Sequence, residues 1–250
     1  MTIFNVTGGG AGGGGDGSPT FKEMTSAPYS ITASDWGNYY SLIRDYQFYN
    51  DTLLESIEIP SGINRINNQA FYGCTALTDV TIGSDVLTID NGAFQYCTAL
   101  TDVTIPSSVT TIVSNAFYGC TALADITIPS SVTALGTSAF YGCTALTDIT
   151  IPSSVTIIDA NAFRNCTNMA SITINNTSSL NIGNNVFRSV ATDITGGCTI
   201  TLTGSTPPTI TTSTLQYTNI AKIIVPQGSL TTYQTATNWS AYASLMEEAP

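Results

Sequence analysis

Aspartates recur at a fixed spacing in the middle of this sequence. Asp79, Asp102, Asp125 and Asp148 stand 23 residues apart, and side chains repeated at the period of a stacked fold form a column with a spacing of about 4.8 Å. Carboxylates this close repel one another and attract cations, and Ca²⁺ prefers such oxygen ligands. A catalytic carboxylate pair needs two unequal environments, whereas a repeated column gives every aspartate nearly the same one.

Histidine is absent from the 250 residues. Its absence removes the usual general base, the proton shuttle near neutral pH and the commonest metal ligand of proteins. The sequence therefore predicts a protein that is not an enzyme and that holds no metal or other cofactor.

Five cysteines also recur every 23 residues, and a sixth, Cys198, lies out of register. The regular five are Cys74, Cys97, Cys120, Cys143 and Cys166. In a stack their Cβ atoms point the same way about 4.8 Å apart, too far for the separation of about 3.8 Å in a disulfide. A linear column is not the tetrahedron that zinc requires. We expect small, buried thiols at these positions.

These spacings come from a repeated unit that is clearest in Leu100 to Ala122, with the sequence LTDVTIPSSVTTIVSNAFYGCTA. The unit recurs nearly unchanged from Leu123 and again from Leu146. A single unit of this length cannot bury its apolar side chains without a neighbour stacked on it. The repeat therefore predicts a solenoid.

Each unit begins with an alternation of apolar and polar residues that is typical of a strand with one buried face. The apolar pairs are Ile57/Ile59, Val80/Ile82, Val103/Ile105, Ile126/Ile128, Ile149/Ile151, Ile172/Ile174, Ile200/Leu202 and Ile223/Val225. Proline usually follows the pair and ends the strand, because it cannot extend the hydrogen-bond ladder. We predict one parallel sheet of about eight short strands, with a five-residue insertion between the sixth and seventh strands and little helix outside the ends.

An Ala-Phe pair follows later in each unit. The phenylalanines are Phe71, Phe94, Phe117, Phe140, Phe163 and, after Val186, Phe187. Stacked coils would bring these rings into one continuous column inside the rod.

Charge excludes several classes of partner. The net charge is −11, and seven aspartates but no lysine or arginine lie between Ile66 and Phe163. Nucleic-acid binding needs basic phosphate contacts, and anionic membranes are disfavoured for the same reason. No apolar run is long enough for membrane insertion. The N-terminus lacks the basic start and apolar core of a secretory signal.

The two ends differ from the repeats and suggest four segments. Residues 1–19 contain eight glycines and predict a flexible arm. Residues 20–53 are rich in aromatic side chains and predict an N-terminal cap, with a helix in which Trp36, Tyr40 and Ile43 share a face; an aromatic platform for a sugar or protein is the alternative. Residues 54–226 form the solenoid. Residues 227–250 form a C-terminal cap, with two short helical turns broken near Asn238.

The unit of strand, proline, turn and Ala-Phe-x-x-Cys resembles the bacterial BspA-type leucine-rich repeats. Leu54 to Asn168 match this pattern over five copies, and Ile223 to Leu245 resembles the C-terminal cap common in the family. The resemblance implies a right-handed leucine-rich-repeat coil, surface adhesion, and an extracellular or cell-surface location. Ser108, Ser131 and Ser154 stand where vertebrate-type repeats carry an asparagine ladder.

Two polar columns are predicted on the concave face of the sheet. They contain Asp79, Asp102, Asp125 and Asp148, and beside them Thr81, Thr104, Thr127 and Thr150. Three interpretations remain open: the solvated side of a duplicated sheet, a weak cation site, or a docking surface for a protein or glycan. The leading hypothesis is a non-catalytic recognition module. The alternative is a structural or receptor-binding part of an assembly such as a phage virion or tail appendage, with the glycine-rich arm as the attachment point; a true Met1 without a secretory signal favours it.

Overall fold

The structure is a computed structural model that describes residues 28–33, 42–176 and 180–250. The predicted glycine-rich arm lies outside the described residues, as does most of the predicted N-terminal helix. The end of that helix was wrongly placed, because Ile43 lies in a strand. The strand Leu42–Ile43 pairs in parallel with Arg65–Ile66. A helical turn at Ile43 could not form these inter-strand hydrogen bonds.

The regular secondary structure of the described chain consists almost entirely of short strands, which are joined by turns. In chain order they are β1 (Tyr29–Ile31), β2 (Leu42–Ile43), β3 (Leu54–Ile59), β4 (Arg65–Ile66), β5 (Asp79–Ile82), β6 (Thr88–Ile89), β7 (Asp102–Thr104), β8 (Thr111–Ile112), β9 (Ala134–Leu135), β10 (Asp148–Ile151), β11 (Ile157–Ile158), β12 (Ser171–Ile174), β13 (Asn181–Ile182), β14 (Cys198–Leu202), β15 (Ile220–Val225) and β16 (Met246–Glu248). Every pairing between them is parallel. The predicted parallel solenoid is confirmed.

The strands form two faces rather than a single sheet. The first face carries the longer strands, in the orders β1-β3-β5-β7 and β10-β12-β14-β15-β16. Residues 124–128 lie between these two groups, where Ile126 and Ile128 are buried without forming a regular ladder. The second face is a continuous seven-stranded sheet of two-residue strands, in the order β13-β11-β9-β8-β6-β4-β2. Each strand on that face buries one aliphatic side chain, which is too short a pattern to predict a second sheet.

The register follows the repeat, including its one irregularity. Ile172 pairs with Ile200 across the predicted insertion, and Ile200 then pairs with Ile223 at the usual spacing. The extra residues therefore leave the alignment of the buried side chains unchanged. A one-residue slip would have turned these side chains toward solvent.

A column of phenylalanine rings forms the centre of the core, as predicted. Successive rings from Phe48 to Phe187 have centroids 5.0 to 5.6 Å apart and planes within 8° of parallel. Phe48 adds a ring before the predicted series and is buried like the others. The repeated core thus extends on the N-terminal side of Leu54.

Short polar side chains bond each coil to the preceding one. The thiol of Cys120 donates to the carbonyl of Phe94 at 3.1 Å, and four other cysteines repeat this bond. All six cysteines are buried and free, and burial raises the pKa of Cys120 to about 12. The Ser108 hydroxyl donates to the carbonyl of Val86 at 2.7 Å, and Ser131 and Ser154 repeat that bond. Serine hydroxyls therefore form, between adjacent coils, the hydrogen-bond ladder that asparagine side chains form in vertebrate-type repeats.

The C-terminal segment closes the last coil with two short helices. Helix α1 spans Leu230–Thr235, and a 3-10 helix spans Ser240–Leu245. Asn238 has φ +66° between them, so the predicted break is confirmed. Trp239 is buried, and its indole Nε1 donates to the carbonyl of Pro208 at 2.8 Å. Among the described residues, no helix has the length and apolar character needed to cross a membrane.

Candidate functional site

The predicted polar columns lie on the first face, which we call the Asp-Thr face. In β5 and β7, Asp79 pairs with Asp102 and Thr81 with Thr104. Asp148 and Thr150 hold the same places in β10, and Asp125 and Thr127 lie between them in the coil without a regular strand. All eight side chains are exposed, and the Val or Ile between each pair is buried. Strand alternation alone thus places both columns in solvent.

Negative charge on this face has little local compensation. Among the residues that the structure describes, no ion pair involves Asp79, Asp102 or Asp125. Lys222 lies further along the same column, but its Nζ is 2.8 Å from Glu247 and both side chains are about half exposed, so the pair contributes little to stability. The ladder is missing at Asp125, in the middle of the column.

The aspartates of the Asp-Thr face lie in nearly equal surroundings. Each aspartate sits between a residue of the preceding turn and a buried aliphatic residue, so no carboxylate differs from its neighbours in burial. An acid and a base require groups whose environments separate their pKa values. Over the described ranges, no three His, Cys, Asp or Glu side chains come together to hold a metal ion. The columns offer carboxylate and hydroxyl oxygens in two parallel rows.

A row of tyrosines on another side of the coil was not predicted. Tyr49, Tyr72, Tyr96, Tyr118 and Tyr141 form an unbroken series with centroids 4.7 to 5.4 Å apart. We call it the tyrosine ridge. Most members directly follow the core phenylalanine of their coil, so the motif Phe-Tyr-Gly-Cys was the available signal. The ring after each core ring points out of the core.

Tyr96 joins the ridge from a different sequence position. Its coil has Gln95 after the phenylalanine, and Tyr96 stands where other coils have Gly73 or Gly119. Its backbone has φ +61°, and its ring is nearly perpendicular to those of its two ridge neighbours. An alignment of the repeats does not place Tyr96 in the tyrosine row, because it lies one position later than the other tyrosines. Only the fold brings its ring between those of Tyr72 and Tyr118.

Arginine replaces tyrosine at the C-terminal end of the ridge. Arg164 and Arg188 follow the core phenylalanines of two successive coils. The guanidinium carbon of Arg164 lies 5.7 Å from the ring centroid of Tyr141, and that of Arg188 lies 5.0 Å from the centroid of Tyr217. Such cation-π contacts hold each guanidinium against a ring.

A matched pair of glycines reports how tightly the ridge is packed. Gly119 and Gly142 both have φ near +70°, but an added Cβ at Gly119 would lie 2.7 Å from Cδ1 of Tyr96, whereas none at Gly142 would meet an atom within 4 Å. Both alanine variants carry the left-handed backbone cost of about 1 to 2 kcal/mol. We expect G119A to lose about 1 kcal/mol more in urea unfolding, because it displaces the ring. Equal losses would mean that Tyr96 moves aside freely.

Comparisons with known proteins identify the repeat. The family profile described as BspA type leucine-rich repeat region, in six copies, matches residues 41–169 and 110–241. No significantly similar sequence was found among curated proteins. A leucine-rich repeat protein of T. pallidum superposes with a TM-score of 0.60 at 24% identity, over 66% of this chain and 78% of that one.

A second solved structure has the same architecture. A leucine-rich repeat protein from Bacteroides ovatus superposes with a TM-score of 0.58 at 21% identity, over 90% of this chain and 70% of that one. At these identities the two superpositions establish the fold alone. The profile match extends over most of the chain and includes the coils that carry both the Asp-Thr face and the tyrosine ridge. The chain therefore belongs to the BspA type leucine-rich repeat family.

Proposed function

We propose that this chain is a non-catalytic recognition module that binds a basic protein partner through its Asp-Thr face. The repeat family indicates a binding or adhesion module, and the partner follows from the face itself. The observation that carries the proposal is the exposed aspartate column, in which Asp79, Asp102 and Asp125 have no cationic partner among the described residues. Opposite charges on a partner would supply what the fold leaves unmatched.

Charge and side-chain type favour a protein over a glycan. Both columns lack aromatic side chains, so this face offers no ring on which a sugar could stack. Anionic polysaccharides would be repelled by the carboxylates. Lysine and arginine side chains on an extended strand or loop would meet carboxylates spaced like the strands, about 4.8 Å apart. The threonine hydroxyls beside them offer both donors and acceptors.

A position outside the cell suits such a module, and the family resemblance supports it. The glycine-rich residues 1–19 would then serve as a tether. Rigid coils displayed on a tether can sample many orientations while the binding face keeps its shape.

Arrays of purified extracellular proteins and of glycans test the proposal. The wild-type chain is applied to both arrays, and each hit is measured by biolayer interferometry at two salt concentrations. D102N/D125N removes two charges from the face. The matched control, D159N/D193N, removes two exposed charges elsewhere.

We expect a basic protein as the hit, with binding weakened about tenfold by D102N/D125N, mainly through slower association, and weakened further by salt. The control pair should change affinity less than twofold. Equal effects of the two double variants, or hits confined to the glycan array, would contradict the proposal.

A further inference from the structure

The tyrosine ridge is a second repeated row of side chains, carried by the turns rather than by the strands of the Asp-Thr face. The buried phenylalanine column is continuous by itself, so the ridge forms a separate row of rings at the surface. Tyr49 and Tyr96 remain 44% and 38% exposed. Tyrosine and arginine are the residues most enriched at the energetic centres of protein interfaces, and the ridge position is occupied by these two types in six of seven coils from Tyr49 to Arg188.

The orientation of the rings argues against a sugar ligand. Tyr118 and Tyr141 are stacked with planes 1° apart, and the other face of Tyr141 is covered by Arg164. Tyr49 and Tyr72 are stacked in the same way. Faces that are already covered cannot stack on a pyranose ring, so these four tyrosines present their edges and hydroxyl groups. Aromatic edges and hydroxyl groups are suited to the pyrrolidine rings and carbonyl groups of a proline-rich segment, which aromatic residues recognise in SH3 and WW domains.

The spacing of the ridge matches a polyproline II helix. Consecutive ridge rings are 4.7 to 5.4 Å apart, so every second ring recurs at about 10 Å along the stack. One turn of polyproline II contains three residues at about 3.1 Å each, or about 9.3 Å. A segment lying along the rod would therefore place one proline per turn near every second ring over the length of the ridge.

The two arginines at the C-terminal end of the ridge favour a negatively charged group at that end of a bound segment. Arg164 and Arg188 form no ion pair with any carboxylate in the described parts of the chain. The Nε of Arg164 is buried without a hydrogen-bond partner, and its Nη1 donates to Asn161 at 3.3 Å. The guanidinium carbon of each arginine lies over a tyrosine ring, and in Arg164 the Nη2 group remains to donate to a carboxylate.

We propose that the tyrosine ridge and the two arginines at its end form a docking surface for an extended, proline-rich polypeptide segment that carries a carboxylate side chain at one end. The prolines lie against the tyrosine edges, and the carboxylate meets Arg164 and Arg188. The segment runs parallel to the rod axis. This surface acts independently of the Asp-Thr face.

Labelled synthetic peptides test the docking surface directly. Two peptides contain three Pro-Pro-Leu units, with two glutamates at the C-terminal end in one and at the N-terminal end in the other. In a second pair, glutamine replaces both glutamates. In a third pair, serine replaces every proline. Binding is followed by fluorescence anisotropy with the full chain. We expect one glutamate peptide to bind at least tenfold more tightly than its glutamine counterpart, and the serine versions to bind at least tenfold more weakly.

Variants assign the two parts of the surface. R164Q/R188Q should abolish the difference between glutamate and glutamine peptides, whereas K222Q, which removes a cation from the other face, should preserve it. Y72S/Y118S should weaken every proline-rich peptide about tenfold. Y72F/Y118F keeps the rings and should bind within threefold of wild type, and thermal unfolding of each variant establishes that it is folded.

Three outcomes would overturn the proposal. One is the absence of saturable binding by all proline-rich peptides. Another is a folded Y72S/Y118S variant that binds like the wild type. The third is arginine-dependent binding of heparin in place of the peptides, which would assign Arg164 and Arg188 to sulfated glycans. D102N/D125N tests whether the two surfaces are independent. It should leave peptide binding unchanged, because it alters only the Asp-Thr face.

Discussion

Replacing Phe117 with alanine is expected to lower the free energy of unfolding by about 3 to 5 kcal/mol. Its ring is fully buried and stacks on Phe94 and Phe140 at 5.4 Å on each side. Truncation therefore opens a cavity between neighbouring coils, and the continuous second-face ladder β6-β8-β9 limits how far the coils can collapse into it. The backbone carbonyl of Phe117 still accepts the Cys143 thiol bond, so the loss reports the ring alone. Urea unfolding followed by circular dichroism measures it.

Phe187 provides the matched control for this prediction. It is equally buried, but among the described rings it contacts a single phenylalanine, Phe163, at 5.6 Å. F187A should cost about 1 kcal/mol less than F117A, because one aromatic contact is lost instead of two. A loss below about 1 kcal/mol for F117A would contradict the view that the ring column holds adjacent coils together.

Replacing Trp239 with alanine is expected to cost about 3 to 5 kcal/mol and to loosen the C-terminal coils first. Trp239 is 2% exposed, packs edge-on against Tyr233 at 5.8 Å and donates its indole N–H to Pro208. Removing it leaves the last strands of the stack with an uncovered apolar end. Because contacts in a solenoid extend only to neighbouring coils, hydrogen exchange should speed up in β14 and β15 while β5 and β7 stay protected.

The variant W239F separates the packing of the ring from its hydrogen bond. It keeps most of the apolar volume but leaves the carbonyl of Pro208 without its indole donor, so we expect a loss of about 1 to 2 kcal/mol. Uniform acceleration of exchange along the whole chain in W239A would indicate a single cooperative unit and would contradict local uncapping.

The two candidate surfaces differ in what the fold contributes to them. The Asp-Thr face takes its geometry from strand alternation, which any in-register parallel stack imposes on residues such as Asp102 and Thr104. The tyrosine ridge depends on turns with left-handed backbone positions, including Tyr96 and Gly119. Mutations that disturb the turns should therefore affect the ridge before they affect the sheet.

Sequence patterns predicted the core accurately because the repeat copies each buried residue to an equivalent place. The phenylalanine column, the buried thiols and the insertion ahead of Ile200 all followed from spacing. The same patterns missed the second sheet, because a two-residue strand such as Thr88–Ile89 has no detectable periodicity. They also assigned Ile43 to a helix, since an isolated aromatic segment carries no signal for pairing with a later strand.

The sequence by itself determined that this protein is a stack of coils, because a 23-residue period leaves apolar side chains that only an identical neighbour can bury. It also placed the aspartate column in solvent, since strand alternation is a local property. Only the tertiary structure decided that the ladder is interrupted at Asp125 and that Tyr96 completes a row of rings from a shifted position. Both depend on distances between side chains of adjacent coils, and the backbone of each coil sets those distances by how closely it approaches the next.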